Sequence, residues 1–403
     1  MIEKSCITFI SKPKLSLSLI GLIVIIYVSL YNPFLFESFI DRNVRVGVEV
    51  SVLLLLLLIN LKYKSLSNLI WWIALIMLYM VLIMFGVNKF TDLFSSLNKF
   101  IFIFSLIGLL RGNRDVLNIL IKLWMQLWYV LCVIAVVAFL GYNSGAINFS
   151  SWDLGEAVSG IKGSYYYLHS SILGNISPKI FFGMDMGRAS AFLYEGGLLG
   201  VFCGINILSA KYWFETPKGS ETFVRVNYLA GITTLSTTFI IFFLVYFLLS
   251  NEWLKNKFSV KQRVVFYSFM LIVFLNFIVL VILEESSGSV RLESLIFQLN
   301  IIGENSLNTF LFGNGIGYII NKFEWWGGVN SGWISIFIER GVLFLIFTMC
   351  LIVKLTKNSF SLLLFLIYCN FSFNVLLSPA LLLIIGTTYH CMQQRTRPYI
   401  LKS

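Results

Sequence analysis

Apolar runs long enough to cross a bilayer recur along this chain, and short clusters of Lys and Arg stand between them. No other feature restricts the fold as much. A crossing helix needs about 20 apolar residues, and inside lipid every backbone N–H and C=O must find a partner within the protein. The composition agrees, since 58% of the 403 residues are hydrophobic and only 12% charged, against about a quarter charged in soluble domains. The expectation is an all-α polytopic membrane protein, one integral membrane domain over 1–403. The net charge of +11 sits largely in the clusters between runs, as the positive-inside bias requires. Such clusters attract anionic lipid headgroups and do not indicate a nucleic-acid partner.

Sidedness follows from the clusters. Lys4, Lys12 and Lys14 precede the first run, which resembles a signal peptide; its length and the lack of a small-x-small site predict a retained span with its N-terminus inside. Spans 1 to 5 are expected at about 15–32, 46–61, 66–87, 93–110 and 116–140. A polar segment of about 141–187, rich in Gly, Ser, Asn and Tyr, leads to span 6 at about 188–209. One span between the basic clusters at Lys211–Arg225 and Lys255–Arg263 would break the charge rule. Two short ones are expected instead, about 223–235 and 236–250, meeting in a buried polar turn at Leu235-Ser236-Thr237-Thr238. Span 9 is expected at about 264–283 and span 10 at about 332–353, and a second short pair within 358–392 meets near Asn374–Pro379. This gives about twelve transmembrane helices, both termini inside, and two long outward-facing loops at about 141–187 and 284–331. Lys99 and Lys122 fall within spans, where snorkelling, a buried pair and a functional role all stay open. The six cysteines lie outside the outward segments, so no disulfide framework is expected. Neither they nor His169 and His390 have the spacing of a metal site, and no metal or cofactor is expected.

The least apolar long run, 284–341, is expected to form an outward lobe with the active site. It contains GNGIG at 313–317. Without GK[ST] or a preceding βαβ strand this is weak as a nucleotide motif. Gly313 and Gly315 are first of all turn formers, and ligand contacts second. Arg291 sits alone in VRLESLIFQL, an amphipathic stretch just beyond span 9. It is either a solvated charge or a phosphate-binding guanidinium, whose rigid fork of donors suits that anion. Glu339 and Arg340 come two turns into span 10, whose outer start is marked by Asn330 and Ser331. Ser331 caps that helix or helps hold an anion at its N-terminus. Arg188 and Glu195, in GRASAFLYEGG, would share one helix face, with Glu195 about 10 Å deeper. They form either a structural ion pair or a pair of functional intramembrane charges. Tyr166, its tyrosine neighbours and Trp325-Trp326 offer stacking surface for sugar rings, or else an interfacial belt, the commoner use.

In combination these residues resemble the O-antigen polymerase and ligase superfamily of bacterial envelope glycan assembly. The recurring pattern there is many spans, a central outer loop, and G-x-G-x-G followed by a His/Asn segment leading into L-x-E-x-G-x-x-G. Here GNGIG precedes VNSGWISIFIERGVLF, so the family's Asn, Glu and Gly fall on Asn330, Glu339 and Gly341. GRASAFLYEGG is similar to the Arg…Glu segment that opens a middle span of polymerases. LSTTFIIFF resembles a Thr/Ser-rich turn that often has an Arg in ligases, and Thr237 stands in its place. Ligases put a His before the Asn; this chain has Val329, so the polymerase branch is the better match. The resemblance covers the middle and C-terminal half, through short motifs in the right order.

The resemblance implies a GT-C-like membrane architecture and a polysaccharide polymerase of the bacterial inner membrane. Its reaction joins oligosaccharide repeat units carried on undecaprenyl pyrophosphate, at the outer face, into O-antigen or into capsular or exopolysaccharide. A sugar hydroxyl of one chain attacks the anomeric carbon of another and lipid pyrophosphate leaves, so no cofactor is needed. Arg188 and Arg291 are expected to stabilise the departing pyrophosphate. Glu195 or Glu339 would orient the acceptor hydroxyl or take its proton. Asn330, Ser331, Gly313, Gly315, Tyr166 and His169 are the expected substrate contacts. The implied partners are the lipid-linked glycans, the bilayer, a chain-length regulator and a flippase. A lipid-linked oligosaccharide flippase or other transporter is the alternative from another class.

Overall fold

The structure, a computed structural model, describes residues 15–31, 34, 40–62, 69–85, 90–148, 150–153, 167–171, 174–181, 184–193, 196–214, 217–236, 238–240, 242–243, 246, 262, 296–304, 306–315, 318–322, 332–372 and 377–396. It is mostly helical. Five helices open the chain: α1 (Leu15–Ser29), α2 (Arg42–Lys62), α3 (Leu69–Phe85), α4 (Phe90–Gly112) and α5 (Arg114–Asn143). They coincide with the first five expected spans. α5 begins where the Asn113 side chain accepts hydrogen bonds from the Asp115 and Val116 amides, at 3.0 and 3.4 Å. Asp115 adds a favourable charge in the first turn. The 30 residues of α5 make about 45 Å of helix.

After α5 the all-α expectation fails. Four strands, β1 (Ser150–Asp153), β2 (Tyr167–Ser171), β3 (Gly174–Phe181) and β4 (Met184–Ala191), form an antiparallel meander in the order β1-β2-β3-β4. In its register Ser151 faces His169, and Ser177 faces Arg188. The first long polar segment is therefore a sheet where the sequence predicts a loop. The expected start of span 6 at about 188 is corrected too, since residues up to Ala191 pair with β3 and the helix begins at Gly196. The end of α5 holds the sheet: the Asn143 amide accepts from the Gly187 N–H at 2.8 Å and donates to its carbonyl at 3.0 Å.

The next helices are α6 (Gly196–Trp213) and α7 (Pro217–Thr233). Every residue of α6 from Gly196 to Ala210 is buried. A polar chain crosses three helices: Trp124 Nε1 donates to Asn206 Oδ1 at 3.0 Å, and Asn206 Nδ2 to Asn227 Oδ1 at 3.2 Å. Trp124 and Trp128 stack at 5.2 Å against Phe202 beside it. α7 ends in a buried polar turn, as expected. Thr233 and Thr234 hydroxyls bond back to the Ala230 and Gly231 carbonyls at 2.8 and 2.6 Å, and Leu235 takes a positive φ of 44°. Those local bonds satisfy polar groups that water does not reach. Tyr228 then meets Phe243 and Tyr246 beyond the turn, at 5.7 and 6.3 Å, so the chain folds back along α7.

The described C-terminal part is helical at 296–304 and continues through two short helices, α8 (Leu307–Phe312) and α9 (Tyr318–Lys322), then α10 (Gly332–Thr356), α11 (Phe360–Ser372) and α12 (Pro379–Thr396). α10 matches expected span 10, and α11 and α12 match the expected short pair. The expected span 9 lies outside the described residues. The five cysteines among the described residues are free thiols, Cys132 and Cys203 among them.

Among the described residues, two helices, α5 and α10, are long and apolar enough to cross a membrane. Other helices turn large apolar side chains outward: Leu54 and Leu58 on α2, Ile76 and Met77 on α3, each more than half exposed. Apolar faces of that size are unfavourable in water. Charge is sorted by end. Arg395 at the end of α12 donates to the Phe214 carbonyl just past α6, at 2.9 Å. The Tyr212 hydroxyl donates to the Asn358 carbonyl before α11 at 3.4 Å, and Arg111 is in electrostatic reach of Lys354. Arg111, Lys211, Lys354, Lys357 and Arg395 thus gather at one end, while α6 starts beside the sheet at the other.

Candidate functional site

α10 is two helices in tandem. Gly341, with φ 78° and ψ 170°, separates Gly332–Arg340 from Val342–Thr356. A helix that stops leaves its last carbonyls without intrahelical donors. Two of them are met from outside: the Ile338 carbonyl accepts from the Asn314 N–H at 2.8 Å and from Asn314 Nδ2 at 3.2 Å, and the Glu339 carbonyl from the Gly315 N–H at 3.0 Å. Gly313-Asn314-Gly315, the start of the GNGIG run, therefore docks on the break. α8 leads into it, capped by Ser306 at its start and by the Gly313 N–H on the Thr309 carbonyl at its end. The two backbones touch. A Cβ at Gly313 would lie 2.4 Å from the Glu339 carbonyl oxygen, and one at Gly341 would lie 2.2 Å from that of Leu311. Both glycines also have φ near +80°, which L side chains rarely adopt. Turn chemistry, the first reading of this run, is what Gly313 and Gly315 do.

Glu339 is 9% exposed at the last turn before the break. Arg340, the next residue, lays its guanidinium over the Phe344 ring at 5.0 Å. Its Nε is buried without a partner, and no hydrogen bond or ion pair among the described residues reaches the group. Tyr79 of α3 packs on the same ring at 6.4 Å. At the start of α10 the Asn370 carboxamide of α11 presses on Gly332, with neither its oxygen nor its nitrogen partnered. On the lobe itself, Lys322 of α9 donates to Glu304 at 2.9 Å. That carboxylate, helped by Tyr318, holds the ammonium above the ordinary lysine range.

Arg188 is not on the helix where the sequence predicts it. It sits on β4, half-buried, with its Cδ 3.5 Å from where a Cβ on Gly196 would stand. Its side chain therefore lies over the start of α6. The shared helix face with Glu195 is lost, because position 188 precedes the helix, and Glu195 itself lies outside the described residues. The Thr234 carbonyl approaches the same point, 3.3 Å from that Gly196 position. The structure thus brings Arg188, the α6 N-terminus and the polar turn at Thr234–Ser236 together.

No family model matches this chain, and no curated protein or solved structure matches it.

Tyr166, Arg291, Asn330 and Ser331 also lie outside the described residues, as do Thr237 and Trp325-Trp326. His169 is on β2, in register with Ile176 of β3. Sequence reasoning passed over Glu49 of α2, which is 6% exposed and accepts from the hydroxyls of Tyr31 at 2.9 Å and Tyr27 at 3.4 Å. A lone acid in RVGVEVSVLLLLLL was signal enough to raise it. Asn370 gave no such signal, because a polar residue in an apolar helix is ordinary until its partners are known.

Proposed function

We propose that the protein is an integral membrane glycosyltransferase of the bacterial inner membrane that polymerises undecaprenyl-pyrophosphate-linked repeat units into a surface polysaccharide. In this reading it has a GT-C-like arrangement of about twelve crossings, both termini cytoplasmic, and its reaction at the outer face. The observation that supports it best is the break in α10, where the buried Glu339 sits under the docked glycine loop. An intramembrane carboxylate at a helix break is poised for proton work or for orienting a hydroxyl. Further support comes from the order of the motifs and from the gathering of basic residues at one end.

The chemistry asks little of the protein beyond positioning and electrostatics. An acceptor hydroxyl oxygen forms the new bond to the donor's anomeric carbon as the bond from that carbon to the pyrophosphate oxygen breaks. The hydroxyl proton goes to a carboxylate, for which Glu339 is our assignment. The electron pair leaves with the lipid pyrophosphate. Arg188, over the α6 N-terminus, and Arg291 would balance that charge.

Glu339→Gln and Arg188→Met, scored separately for membrane yield and for surface glycan length, test this. Normal yield with single-repeat glycan is expected for both. Full-length glycan at normal yield from Glu339→Gln would remove that residue from the mechanism. A flippase or transporter is the second reading, and the same break favours it, since discontinuous helices build substrate sites in transporters. Deletion separates the two: a lost polymerase leaves single repeats outside, a lost flippase leaves its substrate inside.

A further inference from the structure

We propose that the Arg340 guanidinium is a phosphate-binding group, seated between α3 and the break in α10. Assigning its phosphate to a lipid-linked donor rests on the glycosyltransferase reading; the binding site does not.

An arginine cannot shed its charge to suit its surroundings. When taken from water it is normally paired with an acid or bonded to carbonyls. Arg340, itself half-buried, departs from that rule at its Nε. Its Nε is buried and unpartnered, and the described residues offer it neither a hydrogen bond nor an ion pair. One face is covered by Phe344 at 5.0 Å. A ring can serve the face of a guanidinium, but the N–H donors point out from the edge and still need acceptors. Glu339 precedes Arg340 directly and attracts it electrostatically, but the two side chains leave the helix about 100° apart, and no hydrogen bond joins them.

The surroundings favour an anion with several acceptor oxygens. Arg340 lies over Phe344, in the first turn of the helix that restarts at Val342. The first amides of a helix lack intrahelical acceptors and carry the positive end of its dipole. The guanidinium thus lies beside the first turn of that helix. Phosphate, with a charge the fork matches and oxygens to spare for the amides, fits both. Tyr79, on the Phe344 ring from α3, closes the other side. Two sources could supply such a group: the headgroup of a bilayer phospholipid, or the pyrophosphate of a lipid-linked or free diphosphate.

The test uses the full chain in a maltoside detergent, which contains no phosphate. In one arm, inorganic pyrophosphate is titrated and binding followed by thermophoresis. In the other, phosphatidylglycerol retained by the protein is counted by native mass spectrometry. Pyrophosphate binding that weakens at least tenfold in Arg340→Gln, and less in Arg340→Lys, is the expected result and assigns the diphosphate source. Loss of one retained phosphatidylglycerol in Arg340→Gln, with pyrophosphate binding absent or unchanged, assigns the headgroup instead. If neither ligand binds the wild type, or neither responds to the substitution, the proposal is overturned. Should Arg340→Gln fail to survive extraction, Arg340→Lys decides alone: it keeps the charge and lacks the fork, so wild-type behaviour in both arms overturns the site. Glycan length enters neither arm, so a wrong polymerase reading leaves these outcomes untouched.

Discussion

Gly313 and Gly341 face each other across the contact that closes the α10 break, and each is required twice, by space and by φ. Gly313→Ala and Gly341→Ala should each lower stability by about 1–3 kcal/mol through backbone strain alone, with the clash added. Gly315 is the control. It has φ +99° but open space around its Cβ position, so Gly315→Ala should cost less than either. Thermal unfolding in detergent, followed by tryptophan fluorescence, ranks the three; equal losses would mean that the close approach contributes nothing. The sequence made the glycines and Glu339 legible, because a motif records residue type and spacing. It could not show that the Arg340 Nε lacks an acceptor among the described residues, since a missing acceptor is a property of everything packed around a side chain.

Elements were legible where their stabilising contacts are local in sequence. The first five helices, α10, and the turn after α7 all follow from apolar length and the positions of charge. The sheet did not, because its backbone bonds join strands across segments whose composition reads as loop, and its pairing cannot be seen in any one of them. The same error moved the start of α6: β4 and the helix read as one apolar stretch, and only pairing with β3 separates them. Asn143 fastens the sheet to α5 through two bonds to Gly187. Asn143→Ala removes both and should cost about 1–3 kcal/mol. The loss should be local. Hydrogen exchange is expected to quicken in 174–191 while the amides of α6 keep their protection. Uniform quickening across the bundle would show that the sheet is not a separate cooperative unit.

At the scale of the whole molecule, sidedness is the property that links sequence, fold and proposed function. α6 runs from the sheet to the basic end, and α7 begins at that end and stops in the buried turn at Thr234. α7 and the return that Tyr246 marks would together make a helix of about 45–50 Å if laid straight, longer than a bilayer's apolar thickness. Folded back at the turn, the pair would begin and end on one side, and the charge bias then expects Lys218 and Lys255 to share it. α11 and α12 repeat the device, with Asn358 and Arg395 both held against the end of α6. Reporters fused after Lys218, Lys255 and Lys357 should therefore all read cytoplasmic, and one fused after Gly145, beside the sheet, should read external. A split between Lys218 and Lys255 would eliminate the returning pair. An external signal at Lys357 with a cytoplasmic one at Gly145 would invert the molecule. The docked glycine loop and Glu339 would then have no access to a substrate at the outer face, and the polymerase reading would go with them.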